Sequence, residues 1–134
     1  IKACEGTHRG ELRLAVEAAL DLAPLLRGQT AHDRALDVFS SLRVWDTAEN
    51  NGVLIYVLLA DHHIEIVADR GIDEHVGAES WSAICSRMEN HFRQGALKEG
   101  LLKGLREISA LLAQRYPATG PNPNELPDRP ALLR

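Results

Sequence analysis

Several features that mark particular protein classes are missing from this sequence. The longest apolar run, Val53 to Ala60, is far shorter than a membrane span. No segment carries a block of Lys or Arg and the net charge is -4, which disfavours binding to a nucleic-acid backbone. The two cysteines, Cys4 and Cys85, have no metal-ligand spacing and no disulfide pattern, which favours a reducing compartment.

The motifs of common enzyme classes are absent as well. The sequence contains no GxSxG, no Walker loop, no GxGxxG and no HExxH. The adjacent pair His62-His63 is predicted to be exposed at a turn, because neighbouring residues of a strand point to opposite faces. No catalytic residue is therefore assigned, and enzyme activity stays an open question.

The length and composition of the chain indicate one soluble domain. The chain has 134 residues, of which 45% are hydrophobic and 25% charged. We expect residues 1–116 to form the domain, with residues 1–5 as the last turn of a helix that begins upstream. Residues 117–134 contain five of the six prolines and no apolar periodicity, which predicts a disordered tail. No signal peptide is recognisable, so we expect a cytoplasmic or inner-membrane-associated protein.

The strongest structural signal is a β-hairpin. The turn Asn50-Asn51-Gly52 leads into the uncharged run Val53–Ala60, and a second β-rich run, His63–Ile72, follows a short polar break. The first run is apolar at nearly every position, which is typical of a strand covered on both faces. It is therefore predicted to lie in the middle of the sheet.

The remaining segments predict one further strand and several helices. Glu11–Leu20 alternates apolar and polar residues like a strand, although its composition would also suit a helix; we interpret it as a strand. Thr30 is predicted to cap a helix, and Leu97–Tyr116 is predicted to form the final helix, where Gly100 and Gly104 indicate close packing, for example against the sheet. The order predicts an α/β fold: a three-layer α/β/α sandwich with a small mixed sheet and a central hairpin.

An acidic rim is the best candidate for a binding site. Asp46, Glu49 and Asn50 precede the central strand, and Asp69 ends the second strand of the hairpin. Because the start of one hairpin strand lies beside the end of its partner, these side chains are expected to converge. Carboxylate and amide oxygens suit a hard cation such as Ca²⁺, the one cofactor we consider. The alternative is ordinary turn chemistry with solvated acids.

Two arginines are candidates for anion binding. Arg70 stands at the end of the second hairpin strand, and Arg93 stands near the end of a helix. Either guanidinium could steady the charge of a phosphoryl group if a cation at the rim polarised it.

The chain also resembles a known family. The segments that carry the resemblance are Asn51–Val57, Ile64–Val67, Arg70–Ile72, Phe92–Gly95 and the glycine spacing of Gly100–Gly104. In order and spacing they resemble the TPM domain family, named after a thylakoid-lumen phosphatase-like protein, a photosystem repair protein and a receptor modulator. The resemblance covers roughly residues 1–116.

The resemblance implies an α/β/α sandwich and favours the strand interpretation of the segment that begins at Glu11. Some members are reported as acid phosphatases and some bind Ca²⁺ at the acidic rim, whereas others show no convincing activity. Here Asn50 stands where many members have an acid, and Asp69-Arg70-Gly71 replaces a common Gly-aromatic-Gly sequence. The chain thus lacks the acid at Asn50 but has one at Asp69, on the neighbouring strand end. This exchange could preserve a cation site, or it could mean that no site remains.

Two hypotheses about function follow. The first is a noncatalytic binding or scaffold module, monomeric, with a protein partner and no nucleic acid, held near a membrane by sequence upstream of Ile1. The alternative is an acid phosphatase that acts on phosphomonoesters with the help of a divalent cation. The absence of a recognisable catalytic set favours the first.

Overall fold

The structure is a computed structural model that describes residues 11–20, 28–46, 51–115 and 131–133. The predictions for residues 1–5 and 117–130 lie outside these residues. The elements in chain order are β1 Glu11–Glu17, α1 Ala31–Ser41, β2 Gly52–Leu58, β3 His63–Ala68, α2 Arg70–Val76, α3 Ala78–Arg93, α4 Leu97–Arg115 and β4 Ala131–Leu133.

The strands form one mixed sheet in the order β3-β2-β1-β4. β2 and β3 are the antiparallel hairpin, whereas β1 runs parallel to β2 and to β4. The strand interpretation of the segment beginning at Glu11 and the small mixed sheet are confirmed.

Strand β2 explains the layered architecture. All seven of its residues are buried. Val53, Ile55 and Val57 pack into one core with α2, α3 and α4, while Leu54, Tyr56 and Leu58 pack into a second core with α1. A strand with apolar side chains on both faces needs cover on both faces, so the chain folds as the predicted three-layer α/β/α sandwich.

Local sequence signals set the helix ends. The Thr30 hydroxyl accepts a hydrogen bond from the backbone N–H of Asp33, and the Asp33 carboxylate accepts one from the backbone N–H of Thr30. This reciprocal capping box confirms the predicted start of α1. Gly95 has φ +79°, and its N–H donates to the carbonyl of Phe92, which ends α3 as glycine commonly does.

The end of β3 and the presence of β4 differ from the predictions. The second hairpin strand ends at Ala68 rather than Ile72, because a helix begins at once: the Asp69 carboxylate accepts from the N–H of Arg70, and the Asp69 carbonyl accepts from the N–H of Ile72. In the segment predicted to be disordered, Ala131–Leu133 forms β4 and pairs with the end of β1. A three-residue strand has too little periodicity to be recognised from sequence.

The two glycines of α4 pack closely, but against α3 rather than the sheet. A methyl group on Gly100 would lie 2.7 Å from the Cβ of His91, and one on Gly104 would overlap the side chain of Met88. Glycine is therefore used here to bring two helices together, which offsets its cost of up to about 1 kcal/mol in a helix interior.

A buried carboxylate joins α1 to the sheet. Glu17 is 3% exposed, and it accepts a hydrogen bond of 2.5 Å from the Tyr56 hydroxyl. The Arg34 guanidinium donates to both of its oxygens, at 2.9 and 3.0 Å. Burial alone raises the pKa of Glu17, but the hydrogen bonds from Arg34 and Tyr56 and the charge of Arg34 outweigh burial, so its pKa lies below the usual value.

This network predicts a specific acid sensitivity. Because the pKa of Glu17 is lowered in the folded state, its contribution to stability is present above the usual value of 4.5 and is lost as the pH falls through the lowered pKa. We expect Glu17→Gln to flatten the loss of unfolding free energy below pH 4.5, measured by denaturant titration. Tyr56→Phe should cost about 1.5–3 kcal/mol at neutral pH. An unchanged acid slope in Glu17→Gln would contradict the assignment.

Candidate functional site

The starts of β1 and β2 meet the end of β3 at one edge of the sheet. The N–H of Glu11 donates to the carbonyl of Asn51 at 3.3 Å, and the N–H of Asp69 donates to the carbonyl of Gly52 at 2.9 Å. We call Glu11, Asn51, Gly52 and Asp69 the strand-start rim. The backbone ladder fixes these four residues beside one another, independently of their side chains.

Three of the rim residues share the face of the sheet that carries α1. Their neighbours Leu12, Val53 and Ala68 pack into the opposite core, and side chains alternate along a strand. Glu11, Gly52 and Asp69 therefore form a row across three adjacent strands, which are spaced about 4.8 Å apart.

The middle position of this row carries no side chain because it is a glycine, Gly52. The carbonyl oxygen of Val44, which follows α1, lies over Gly52 where a Cβ would otherwise stand. The row thus sets an acidic residue of β1, a backbone carbonyl and the acidic residue after β3 at neighbouring positions along one edge of the sheet. Carboxylate and carbonyl oxygens are the donors that Ca²⁺ takes in proteins.

Burial makes these oxygens unusual for a protein surface. Glu11 and Asn51 are each 1% exposed, and Asp69 is partly buried. One Asp69 oxygen accepts from the N–H of Arg70, whereas the other, Oδ2, is buried without a hydrogen-bond partner among the described residues. A buried carboxylate oxygen that lacks a donor is costly, and a cation would compensate it.

The structure places the sequence-predicted ligands at different distances from this row. Asp69 belongs to it. Asp46 is exposed, follows Val44 by two residues and pairs with Arg43 at 3.0 Å. Glu49 and Asn50 lie outside the described residues, so their part in the site stays a prediction.

Glu11 and Asn51 are not among the ligands predicted from the sequence. The parallel pairing that sets Glu11 beside Gly52 joins segments about 40 residues apart, and no local pattern reveals it. Within the described ranges, no three His, Cys, Asp or Glu side chains could hold a metal ion by themselves. A cation at the rim would therefore need carbonyl, amide or water oxygens in addition to the carboxylates.

The two candidate anion-binding arginines do not meet. Arg70 is exposed at the start of α2, directly after Asp69. Arg93 ends α3 next to Phe92, whose ring lies 4.8 Å from that of His62 at the hairpin turn. The turn and the rim are separated by the length of β3, roughly 17 Å. Of these two arginines, only Arg70 could act together with the rim.

The histidine pair at the hairpin turn corrects one expectation. His62 is exposed, as predicted, with φ +50°. His63, however, begins β3, is partly buried and contacts two carboxylates, those of Glu65 and Glu89. The sequence gives no sign of this cluster, because Glu89 comes from a different element.

Comparison with known proteins identifies the family. The TPM domain matches residues 1–111 of the sequence. This chain belongs to the TPM domain family. The NMR structure of the BA42 protein from the psychrophilic bacterium Bizionia argentinensis is similar to this TPM domain, with a TM-score of 0.86 and 31% identity over 98% of this chain and 86% of that one.

A second solved structure shares the fold alone. It is the N-terminal domain of a protein from P. gingivalis, with a TM-score of 0.69 and 20% identity over 88% of this chain and 74% of that chain. A search of the curated proteins gave no match. No helix within the described ranges has both the length and the apolar character needed to cross a membrane.

The row across the rim depends on the missing side chain at Gly52. We expect Gly52→Ala to destabilise the domain by about 1–3 kcal/mol, because its methyl group would collide with a backbone carbonyl that cannot move freely. Gly104→Ala is the matched control, since the three atoms nearest its methyl would all belong to the side chain of Met88 rather than to the backbone. Denaturant unfolding measures both. Equal or smaller destabilisation by Gly52→Ala would show that the Val44 carbonyl is not held against the sheet.

Proposed function

We propose that this TPM domain is a noncatalytic binding module whose strand-start rim binds a divalent cation of the Ca²⁺ type. The observation that carries the proposal is the row of Glu11, Gly52 with the Val44 carbonyl over it, and Asp69 on three adjacent strands, together with the buried Asp69 Oδ2 that has no hydrogen-bond partner among the described residues. The donor set is hard, and it includes no described cysteine or histidine, which suits Ca²⁺ better than a transition metal.

The charge of the rim supports the same proposal. Glu11 is nearly fully buried and Asp69 is partly buried, and the two acidic residues lie on either side of Gly52 in the row. A bound dication would supply Asp69 Oδ2 with a partner that none of the described residues provides. It would join the start of β1, the segment after α1 and the end of β3, so that binding would stabilise the folded domain by mass action.

Such a module would present a surface organised by the cation to another molecule. We propose a protein as that partner, with any attachment to a membrane supplied by sequence upstream of residue 1. The net charge of -4 and the absence of a basic block support a protein rather than a nucleic acid.

The proposal predicts cation-dependent changes confined to the rim. On addition of Ca²⁺ to isotopically labelled protein, we expect saturable shifts of the backbone amides of Glu11, Asn51, Gly52 and Asp69. Asp69→Asn removes a charge and a strong ligand and should weaken binding at least about tenfold, a loss of 1.4 kcal/mol or more. Asp61→Asn, an equal change in the exposed turn at the other end of the hairpin, should leave binding unchanged. Absent shifts, or equal affinity in Asp69→Asn, would refute the site.

A metal-assisted phosphatase is the second candidate function, and the position of Arg70 favours it. Its exposed side chain follows Asp69 directly, where it could hold a phosphoryl oxygen. A cation at the rim would supply polarisation of that phosphoryl group when bound. Glu11 and Asp69 would then serve to hold the cation rather than to transfer protons.

An assay of phosphate release from p-nitrophenyl phosphate, with Ca²⁺ or Mg²⁺ present, distinguishes the two candidate functions. The binding module predicts that the wild type releases phosphate no faster than Asp69→Asn. A phosphatase would instead lose activity in Arg70→Ala while the Ca²⁺-dependent amide shifts persist. That second result would replace the noncatalytic proposal but would leave the cation site in place.

A further inference from the structure

A groove runs along the outer edge of β3, at the opposite end of the strand from the rim. It has a volume of about 430 Å³ and lies between β3, α1 and α3. We call it the edge groove. Its polar lining comes from all three elements and consists of His32, His63, Glu65, Ser82, Cys85, Ser86 and Glu89. Among the described strands, β3 ends the sheet on this side.

His63 uses both ring nitrogens in this groove. Its Nε2 lies 2.8 Å from a Glu65 carboxylate oxygen, and its Nδ1 lies 2.7 Å from a Glu89 carboxylate oxygen. A neutral imidazole has only one N–H, so it can donate to only one of them. The second nitrogen would then direct a lone pair at a carboxylate, which is repulsive. With both carboxylates ionised, the geometry therefore favours the protonated ring.

Glu89 also contacts the backbone of β3, at the edge of the sheet. Its Oε2 also accepts a hydrogen bond of 3.2 Å from the backbone N–H of Ile64. The N–H of Asp69 donates to the carbonyl of Gly52 on β2. In an antiparallel pair, the N–H groups of successive residues point alternately toward the partner strand and away from it. The N–H of Ile64, five residues before Asp69, therefore points away from β2, toward the outer edge of the sheet. Glu89 thus covers a donor of an edge strand, and His63 holds Glu89 in place.

Glu65, the other carboxylate that contacts His63, extends the cluster to α1. Glu65 contacts His63 through one oxygen and Nδ1 of His32, on α1, through the other at 3.2 Å. The cluster therefore links α1, β3 and α3 around the edge of the sheet. We propose that His63 is a proton-operated clamp, which closes α3 onto the β3 edge through Glu89 when protonated and opens the edge groove when it loses the proton.

The groups that face His63 set the direction of the switch. They are Glu65 on its own strand, Glu89 and Cys85 on α3, and His32 on α1 through Glu65. Burial lowers the pKa of His63, but the hydrogen bond to Glu65 and the charges of Glu89 and Glu65 outweigh it, so the pKa lies above 6.5. Burial raises the pKa of the Cys85 thiol to about 12, so this thiol remains neutral throughout.

The sign of the pH dependence follows from this raised pKa. The clamp is closed below pH 6.5 and opens as the pH rises through the pKa of His63 in the folded protein. On opening, Glu65 and Glu89 lose the positive charge between them and repel each other. The N–H of Ile64 then loses its carboxylate acceptor and becomes available at a sheet edge, where an extended segment could pair with it.

The clamp is tested by following the Ile64 amide and the His63 ring by NMR between pH 5.5 and 8.5. We expect the Ile64 amide shift to change in one step with the midpoint of the His63 titration. Its hydrogen exchange, corrected for intrinsic base catalysis, should rise across the same step. His63→Gln should abolish the step. His62→Asn, the matched change at the neighbouring exposed position with φ +50°, should retain it.

A second variant keeps the test decisive if His63→Gln does not fold. Glu89→Gln keeps the size of the side chain but removes its charge, so it should lower the His63 midpoint and abolish the step at Ile64. His32→Gln should retain the step, because its contact with the cluster runs through Glu65. An Ile64 amide that is invariant while His63 titrates, or a step that persists in His63→Gln or in Glu89→Gln, would overturn the clamp.

Discussion

The burial of β2 on both faces is the constraint on which the rest of this TPM domain depends. Every side chain of the strand is buried, and successive residues belong to opposite cores. A slip of one residue against β1 or β3 would move each side chain to the wrong core, so the register is strongly specified. That same register sets Glu11, Gly52 and Asp69 side by side. The candidate cation site is thus a consequence of core packing, and it needs no dedicated loop motif.

Much of the fold could be predicted because its signals are local. The apolar run of β2 predicts a central strand, and Thr30 with Asp33 predicts the start of α1. Asp69, by contrast, suits the end of a strand as well as the start of a helix, so the sequence does not show that β3 ends at Ala68. β4 could not be predicted, because its three residues follow a proline-rich segment and gain their structure from pairing with β1.

The candidate site could be predicted only in part, for a physical reason. Asp69 follows from the geometry of the hairpin, which joins neighbouring segments. Glu11 reaches the rim through a parallel pairing, and the Val44 carbonyl reaches it through the packing of α1, so neither is visible locally. The cluster of His63, Glu65 and Glu89 was missed likewise, because it joins a strand to a helix more than 20 residues later. Long-range pairing therefore determines the chemistry of both ends of β3.

Anomalous X-ray diffraction from crystals of the domain soaked in Sr²⁺, a heavier analogue of Ca²⁺, would locate the bound cation directly. We predict a single strong anomalous peak over Gly52, within ligand distance of Asp69 and the Val44 carbonyl, about 2.3–2.6 Å for Ca²⁺ and slightly longer for Sr²⁺. A rim without a peak at a concentration that saturates the amide shifts, or a peak elsewhere on the molecule, would contradict the assignment of the row as the cation site.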